Sequence, residues 1–338
     1  MKKNDRDIAR KRYFNSKERL ADLTNMLLLL KQEMCGENES KARLLKPEDF
    51  IEISPELYTT EIMQGGKYSR KRTVDAANLI TIGGGRCCFL LEHQELTDYR
   101  MPERILSGES IWYHETADCL KQKRRMAKDW KSSEEWVGGL SEKDRLIPVF
   151  TLVIYYGSGY WKGAKNLHRI LEMDALPEAV QKLINNYEIH ILEVGSFEHL
   201  EWFETDLKET FGFIKYAGEE EKLREFVTRH RKVFENLPED AYDFITFQTG
   251  TRKLERFKKE YQKRERGRYD MCKAIDDMER HAEERGKKLG EAQGRRQGEA
   301  KMEKLMQRLF EEKRFEDAQK VLSNRAYRGR LYRKYDIK

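Results

Sequence analysis

The sequence predicts an α/β domain with a mixed central sheet flanked by helices, followed by a helical C-terminal extension. Residues 72–94 have the pattern of two strands joined by a glycine turn, and residues 146–156 form a second apolar, β-branched run. Segments with helical spacing lie around these runs, and such alternation is typical of α/β folds. From Glu201 onward the pattern is almost wholly helical, and it stays so through the C-terminal extension.

The composition fits one large domain with an appendage. Of the 338 residues, 38% are hydrophobic and 37% are charged. A charged fraction this high predicts that part of the chain is exposed helix. We therefore assign residues 10–275 to the α/β domain and residues 276–338 to the helical extension.

Cysteine usage and the N-terminal segment predict the compartment. The five cysteines form no CxxC pair, which argues against a zinc site and against a secreted disulfide framework. We see no signal peptide, and the longest apolar run near the N-terminus, residues 23–30, is too short to span a bilayer. We expect a cytoplasmic protein with no membrane partner.

The first predicted helix runs from Glu18 to Gln32. Leucines recur along it at spacings of three and four residues, and Ser16 is a plausible N-cap. Asp22 lies near this apolar stripe, where it is either a functional acid or a solvent-facing one. A short strand is predicted over Asp49–Ile53.

The hairpin that follows carries the polar residues of greatest interest. Strands are predicted at Val74–Ile82 and Cys87–Leu91, with Gly83, Gly84 and Gly85 forming the turn between them. Asp75 lies early in the first strand, and Glu92 and Gln94 end the second strand.

These three side chains are expected to converge at one edge of the sheet. Residues i and i+2 of a strand share a face, so Glu92 and Gln94 project together, and the hairpin returns Asp75 toward them. A buried charge is costly without a partner. Carboxylate and amide oxygens suit Mg2+ or Mn2+, so the pattern predicts a site for one of these ions.

The remaining elements alternate between helix and strand. A long helix from Glu103 to about Lys128 has Pro102 at its start. The other predictions, in order, are a connector at 130–144, a central strand at Leu146–Tyr156, short helices at Asn166–Leu171 and Leu176–Asn185, and a strand at Glu188–Val194.

Basic residues gather at the hairpin and at both ends of the chain. Lys67, Arg70, Lys71 and Arg72 precede Asp75, and Arg86 follows the glycine turn. Such cations could receive the phosphates of a nucleic acid, although a solvated loop has the same composition. The first twelve residues and the tail SNRAYRGRLYRKYDIK are also basic, and they are either phosphate-binding or simply solvated.

The extension contains a four-residue glycine repeat. Gly286, Gly290, Gly294 and Gly298 would form one stripe on a helix, although each interior glycine costs about 1 kcal/mol relative to alanine. Charged residues separate the glycines, so this is not a membrane dimerisation motif. The segment is either a close helix contact or a semi-flexible spacer. The helical pattern that follows, Met302–Leu322, could bind a protein partner or a second copy of the chain.

The hairpin resembles the PD-(D/E)XK nuclease superfamily and, more closely, the Rpn family of recombination-promoting nucleases, which are often named transposases. The resemblance covers roughly residues 10–275 and rests on six ordered segments: SKERLADLTNMLL (16–28), KPEDFIEIS (46–54), RTVDAANLI (72–80), FLLEHQELTDYRMPERIL (89–106), RLIPVFTLVIYYG (145–157) and YEIHILEVGSFE (187–198). It implies an α-βββ-α-β core.

The resemblance also implies a function, a metal-dependent DNA endonuclease linked to recombination or mobile elements. Asp75 and Glu92 would bind Mg2+ or Mn2+, with Asp22 on the first helix as a further ligand. Gln94 stands where the superfamily has lysine, so it can orient water or a phosphate oxygen but supplies no charge. Arg86 or the Lys67–Arg72 cluster would have to supply that charge.

The alternative is a nuclease-like fold that binds DNA or protein without cutting. Metal-dependent cleavage by the purified protein distinguishes the two functions. Other enzyme classes have little support, because the sequence has no GxSxG, no P-loop and no GxGxxG.

Overall fold

A computed structural model describes residues 3–35, 44–63, 66–260 and 267–337. The chain divides into two compact units, Met1–Cys272 and Lys273–Lys338. The first unit is mixed α/β with a central mixed sheet flanked by helices, and the second is helical. The predicted α/β class with C-terminal helices is confirmed at this level.

The elements of the first unit follow one another in chain order. Its helices are α1 Lys3–Tyr13, α2 Lys17–Cys35, α3 Met101–Ala127, α4 Ser133–Gly138, α5 Glu178–Gln181, α6 Leu207–Tyr216, α7 Glu220–Arg229, α8 Arg231–Phe234, α9 Glu239–Thr249 and α10 Arg252–Glu260. Its strands are β1 Phe50–Glu52, β2 Glu56–Met63, β3 Gly66–Thr73, β4 Ala76–Ile82, β5 Gly85–Gln94, β6 Val149–Tyr155, β7 His190–Glu193, β8 Leu237–Pro238 and β9 Arg268–Tyr269. The long helix α11, Met271–Glu311, begins at the end of this unit.

The central sheet has the strand order β1-β4-β5-β6-β7. Strand β4 is antiparallel to both of its neighbours, β1 and β5, and β6 and β7 run parallel to β5. The parallel step from β5 to β6 needs a crossover connection, which α3 supplies. Strand β5 is therefore flanked on both sides, and its residues Cys88, Phe89, Leu90 and Leu91 are buried.

The hairpin turn is shorter than predicted. Gly83 and Gly84 both have positive φ, 56° and 80°, as a two-residue hairpin turn of the I′ type requires. Gly85 already belongs to β5 and pairs with Ile82. The prediction of three turn glycines was wrong by one residue, because two left-handed residues suffice to reverse the chain.

The basic N-terminus is a packed helix and not a solvated tail. In α1, Tyr13 is fully buried and stacks on Phe244 of α9 with ring centroids 4.3 Å apart. Arg10 is also buried, and its guanidinium donates to the side chain of Gln248 at 2.8 Å. The apolar side of α1 therefore anchors it, while Lys11 remains exposed.

Three local predictions differ from the structure. The connector at 130–144 contains helix α4, which Ser132 caps by accepting the backbone N–H of Glu135 at 3.2 Å. The helix predicted over Leu176–Asn185 is reduced to α5, and Gln181 Nε2 instead bonds the carbonyls of the preceding loop. The short helix at Asn166–Leu171 is a 3-10 turn, Leu167–Ile170.

The second unit builds a small core of its own. The end of α11 packs with α12, Phe315–Ser323, and α13, Arg325–Lys334. The buried side chains of this core are Leu305, Leu309, Ala318, Val321 and Leu331.

The glycine repeat of α11 makes no packing contact within the described part of the chain. A Cβ placed on Gly286, Gly290, Gly294 or Gly298 would meet nothing within 4 Å. No helix among the described residues is long and apolar enough to span a membrane.

Candidate functional site

The structure brings Asp75 and Glu92 together at the edge where β5 ends. Asp75 precedes β4, and its backbone N–H donates to the carbonyl of Leu91 at 3.1 Å. Its carboxylate oxygen Oδ2 accepts the backbone N–H of His93 at 2.8 Å. Asp75 is therefore fastened to β5 on either side of Glu92, by its backbone at Leu91 and by its carboxylate at His93.

Burial makes both carboxylates costly to charge. It is the main cause that raises the pKa of Asp75 and that of Glu92. The negative charge of Asp75 raises the pKa of Glu92 further, so the two acids act on each other. A cation bound at this place would offset the energetic cost of burying the two charges and the repulsion between them.

Two arginines already contact Glu92. Arg72 donates to its Oε1 at 2.9 Å, and Arg104 of α3 lies 3.5 Å from its Oε2. Arg72 also donates to the backbone carbonyl of Arg104, and Arg104 pairs with Asp98 at 2.5 Å. These arginines oppose the rise of the Glu92 pKa, but burial outweighs them and the pKa stays raised.

Gly108 makes room for Arg72 on the surface of α3. A Cβ at position 108 would lie 3.0 Å from Arg72 Nε and 3.1 Å from its Cδ. Contacts of that length require the neighbouring atoms to move. A glycine in the interior of α3 therefore has a steric reason, which is to let the Arg72 side chain reach Glu92.

Gln94 lies two residues beyond Glu92 on β5, on the same face of the strand. It pairs with Tyr155 of β6, and its carbonyl accepts the backbone N–H of Tyr156 at 2.9 Å. Its side chain is half-buried. Asp75, Glu92 and Gln94 therefore share the edge that the sequence predicted for them.

His93 lies between these residues but belongs to the opposite face. It is buried, and its Nδ1 is hydrogen-bonded to the hydroxyl of Tyr156 at 3.0 Å. Burial, with the charge of Arg10, lowers the pKa of His93 well below its usual range, so the ring is neutral. It serves the core beneath the site.

The structure gives Asp22 a different role from the one predicted. Its carboxylate accepts the backbone N–H groups of Glu204 and Thr205 and the hydroxyl of Thr205, at 2.6–3.2 Å. Its oxygens are therefore used to hold the loop before α6. The described contacts do not bring Asp22 to Asp75 or Glu92, and we leave it out of the candidate metal site.

Arg86 lies at the wrong end of the hairpin. It pairs with Thr81 beside the glycine turn, whereas Asp75 and Glu92 lie at the other end of the same two strands. Six residues of strand separate Arg86 from Glu92, which is roughly 20 Å. Arg86 cannot supply charge at Glu92, so this prediction was wrong.

Of the predicted basic cluster, the described structure places Arg72 at the site. Lys67, Arg70 and Lys71 belong to β3, which pairs with β2 apart from the central sheet. Their side chains lie outside the described part of the structure.

A cleft of about 280 Å³ opens beside Asp75, and α1 and the first residue of α2 supply cations to it. Lys11 and Lys17 line it and are exposed, and among the described residues no carboxylate pairs with either. Arg12 also lines it but pairs with Glu239 and Asp243 of α9, at 3.5 and 3.6 Å. Glu52 of β1 is the other acid of the cleft.

Sequence reasoning did not bring these lysines to Asp75. The signal for Lys11 was present in the basic composition of the first twelve residues, but that pattern does not show where α1 packs. Lys17, at the start of α2, lies outside that basic segment. The charge of Lys11 also acts on Asp75, where it opposes the rise of the Asp75 pKa.

The donor set fits a hard divalent ion in kind. No group of three or more His, Cys, Asp and Glu side chains within the described ranges is arranged to hold a metal. Mg2+, however, is commonly bound by one or two carboxylates together with waters and substrate phosphates. Asp75 and Glu92, with the Gln94 amide beside them, meet that lesser requirement.

In the comparisons with known proteins, no family model, no curated protein and no solved structure matches the chain.

Proposed function

We propose that the protein is a divalent-metal-dependent DNA endonuclease with a PD-(D/E)XK core. The observation that carries the proposal is the fastening of the Asp75 carboxylate to β5 beside buried Glu92. The order α2, then antiparallel β1, β4 and β5, then α3 and parallel β6 supports it, because it agrees with the α-βββ-α-β core of that superfamily.

Asp75 and Glu92 would hold Mg2+ or Mn2+, which when bound neutralises charge on a phosphodiester and activates water. Burial raises both pKa values, and a bound cation would stabilise the charged forms of the two carboxylates. Gln94 would orient the attacking water or a phosphate oxygen through its amide. It can accept and donate hydrogen bonds but carries no charge.

Arg72 and Arg104 supply the positive charge that the superfamily takes from lysine. Their guanidinium groups lie 2.9 and 3.5 Å from the two oxygens of Glu92, two residues before Gln94. A guanidinium stays charged at any working pH and matches the geometry of phosphate oxygens. In place of the lysine, Arg72 of β3 and Arg104 of α3 would supply positive charge near the reacting centre.

Lys11 and Lys17 would hold the DNA backbone where it passes the cleft beside Asp75. The buried acids alone would repel a phosphate. The exposed lysines beside them, which pair with no carboxylate among the described residues, would attract it. The resemblance suggests that the protein promotes recombination or the movement of mobile elements in the cytoplasm. That role requires that the protein cut DNA.

The test is incubation of supercoiled plasmid with Mg2+, with Mn2+ or with EDTA. We expect nicking or linearisation with either metal and none with EDTA. Asp75→Ala should abolish it, and Arg86→Gln, on the same hairpin but roughly 20 Å from Glu92, should not. Cleavage by Asp75→Ala at the wild-type rate contradicts the proposal.

A module that binds DNA without cutting is the second candidate. It is favoured by the uncharged Gln94 and by the arginines that already contact both oxygens of Glu92. DNA binding that is unaffected by EDTA, with no cleavage under any metal, would select this candidate.

A further inference from the structure

The last helix of the second unit presents a face of arginines to solvent. Helix α13 has ten residues, RAYRGRLYRK, of which five are basic and none is acidic. Leu331 turns inward and is buried in the core with α11 and α12. Arg325, Arg330 and Arg333 are exposed on the opposite side.

Among the described residues 267–337, no ion pair joins any of these three arginines to a carboxylate. Arg330 lies over the ring of Tyr327 at 5.5 Å, and Arg333 Nε donates to the carbonyl of Gly329 at 3.3 Å. By contrast Arg314, which begins the same helical pair, is bound to Asp317 at 2.5 Å. The outer arginines therefore retain most of their donors.

Small residues occupy the centre of this face. On a helical projection, Ala326 and Gly329 fall between Arg325, Arg330 and Arg333. A Cβ on Gly329 would meet nothing within 4 Å, so no contact within the second unit requires a glycine there. An interior glycine costs about 1 kcal/mol of helix stability relative to alanine. Repulsion among the like charges of the three arginines lowers the stability of the helix further.

We propose that the outer face of α13 binds the phosphate backbone of duplex DNA. Planar guanidinium groups bind phosphate oxygens in pairs, and they stand at the edges of a flat centre that lets the helix backbone approach. Arg325 and Arg333 are about 12 Å apart along the helix, a span over which a duplex presents several phosphates. A polyanion relieves the repulsion among the three cations.

This contact is distinct from the cleft beside Asp75 and does not rest on the proposed nuclease activity. The bonds go to phosphates, so the binding is independent of base sequence and strongly dependent on salt. The second unit is accordingly a DNA-holding module with its own surface.

The experiment measures binding of the full chain in EDTA to a fluorescently labelled random-sequence duplex over a range of salt concentrations. The variant Arg325→Gln/Arg330→Gln/Arg333→Gln should bind at least tenfold more weakly. The slope of log K against log salt should fall by roughly three, one for each phosphate contact removed. Wild-type affinity and slope in this variant would overturn the proposal.

Two further proteins keep the result interpretable. Arg308→Gln/Lys313→Gln/Lys320→Gln removes the same charge from exposed positions on α11, the turn after it and α12, and it should bind nearly as wild type. An equal loss in both triple variants would show a general charge effect and overturn the assignment. Gly329→Leu should retain or gain thermal stability yet bind DNA more weakly, because it fills the centre of the face.

An acidic protein is the competing partner for such a face. Polyglutamate at the same charge concentration should compete poorly with the labelled duplex. Competition as strong as that of unlabelled duplex would overturn the assignment to DNA.

Discussion

The guanidinium of Arg72 lies 2.9 Å from the carboxylate of Glu92, joining the strand before Asp75 to the strand that ends at the candidate site. The Arg72 side chain is 15% exposed and that of Glu92 is 6% exposed, so the pair is largely buried. Removing one partner of a buried pair is strongly destabilising, since the other charge is left uncompensated. Arg72 is therefore both a structural partner of Glu92 and the nearest source of positive charge.

Gly108→Ala tests whether α3 keeps a glycine for the sake of Arg72. In the wild-type background we expect the free energy of unfolding to fall by about 1 kcal/mol, because the new methyl group displaces Arg72. In an Arg72→Ala background the same change should raise it by about 0.5–1 kcal/mol, the ordinary gain from alanine in a helix. Urea denaturation of the four proteins measures both effects. Equal effects in the two backgrounds would contradict the steric reason.

Asp75→Asn should change how stability depends on pH in the absence of metal. The folded-state pKa of Asp75 is raised, so wild-type stability is fully present below the unfolded pKa, about 4, and is lost as pH rises through the folded pKa. Asparagine removes this loss and can still accept the His93 N–H. Thermal unfolding in EDTA should show the variant gaining on wild type from acid toward neutral pH. A stability difference between the variant and wild type that shrinks as pH rises would contradict the raised pKa of Asp75.

Gln94 can be tested by two substitutions of opposite consequence. Gln94→Lys should retain cleavage, because lysine restores the superfamily pattern at the same strand position. Gln94→Ala should lower the cleavage rate on the order of 100-fold, the usual effect of removing one hydrogen-bonding group at a reacting centre. DNA affinity should be largely kept in both variants. An alanine variant as active as wild type would show that Gln94 is only a polar residue at a strand end.

Removing residues 286–338 should leave the first unit folded. The core of the second unit is formed by its own helices, and the first unit ends at Cys272. We expect the truncated protein to keep the thermal unfolding midpoint of the α/β unit and its metal binding. Loss of the cooperative transition in the truncated protein would place the boundary elsewhere.

The central elements could be predicted because their patterns are local. Apolar runs, the paired glycines and the two-residue spacing of Glu92 and Gln94 specify the hairpin and the shared face. The position of Asp75 follows from the same hairpin. What lies beside these residues depends on packing between distant segments.

The errors at the site come from long-range contacts. The carboxylate of Asp22 accepts hydrogen bonds from the backbone of residues nearly two hundred positions away, and no local pattern shows this. Arg86 was placed at the site by sequence proximity, although strand length carries it away. Lys11 reaches the cleft because Tyr13 docks α1 on α9, a contact that the basic composition of the segment conceals. Lys17 reaches it from the first residue of α2.

The most direct test of the central claim is a Mn2+ titration of the purified protein followed by electron paramagnetic resonance, because it needs no knowledge of the DNA sequence cut. We predict one bound Mn2+ per chain in the wild type, displaced by Mg2+. The site should be lost in Asp75→Asn and in Glu92→Gln and retained in Arg86→Gln. Mn2+ binding of unchanged affinity and stoichiometry in both carboxylate variants would contradict the assignment of Asp75 and Glu92 as the metal site.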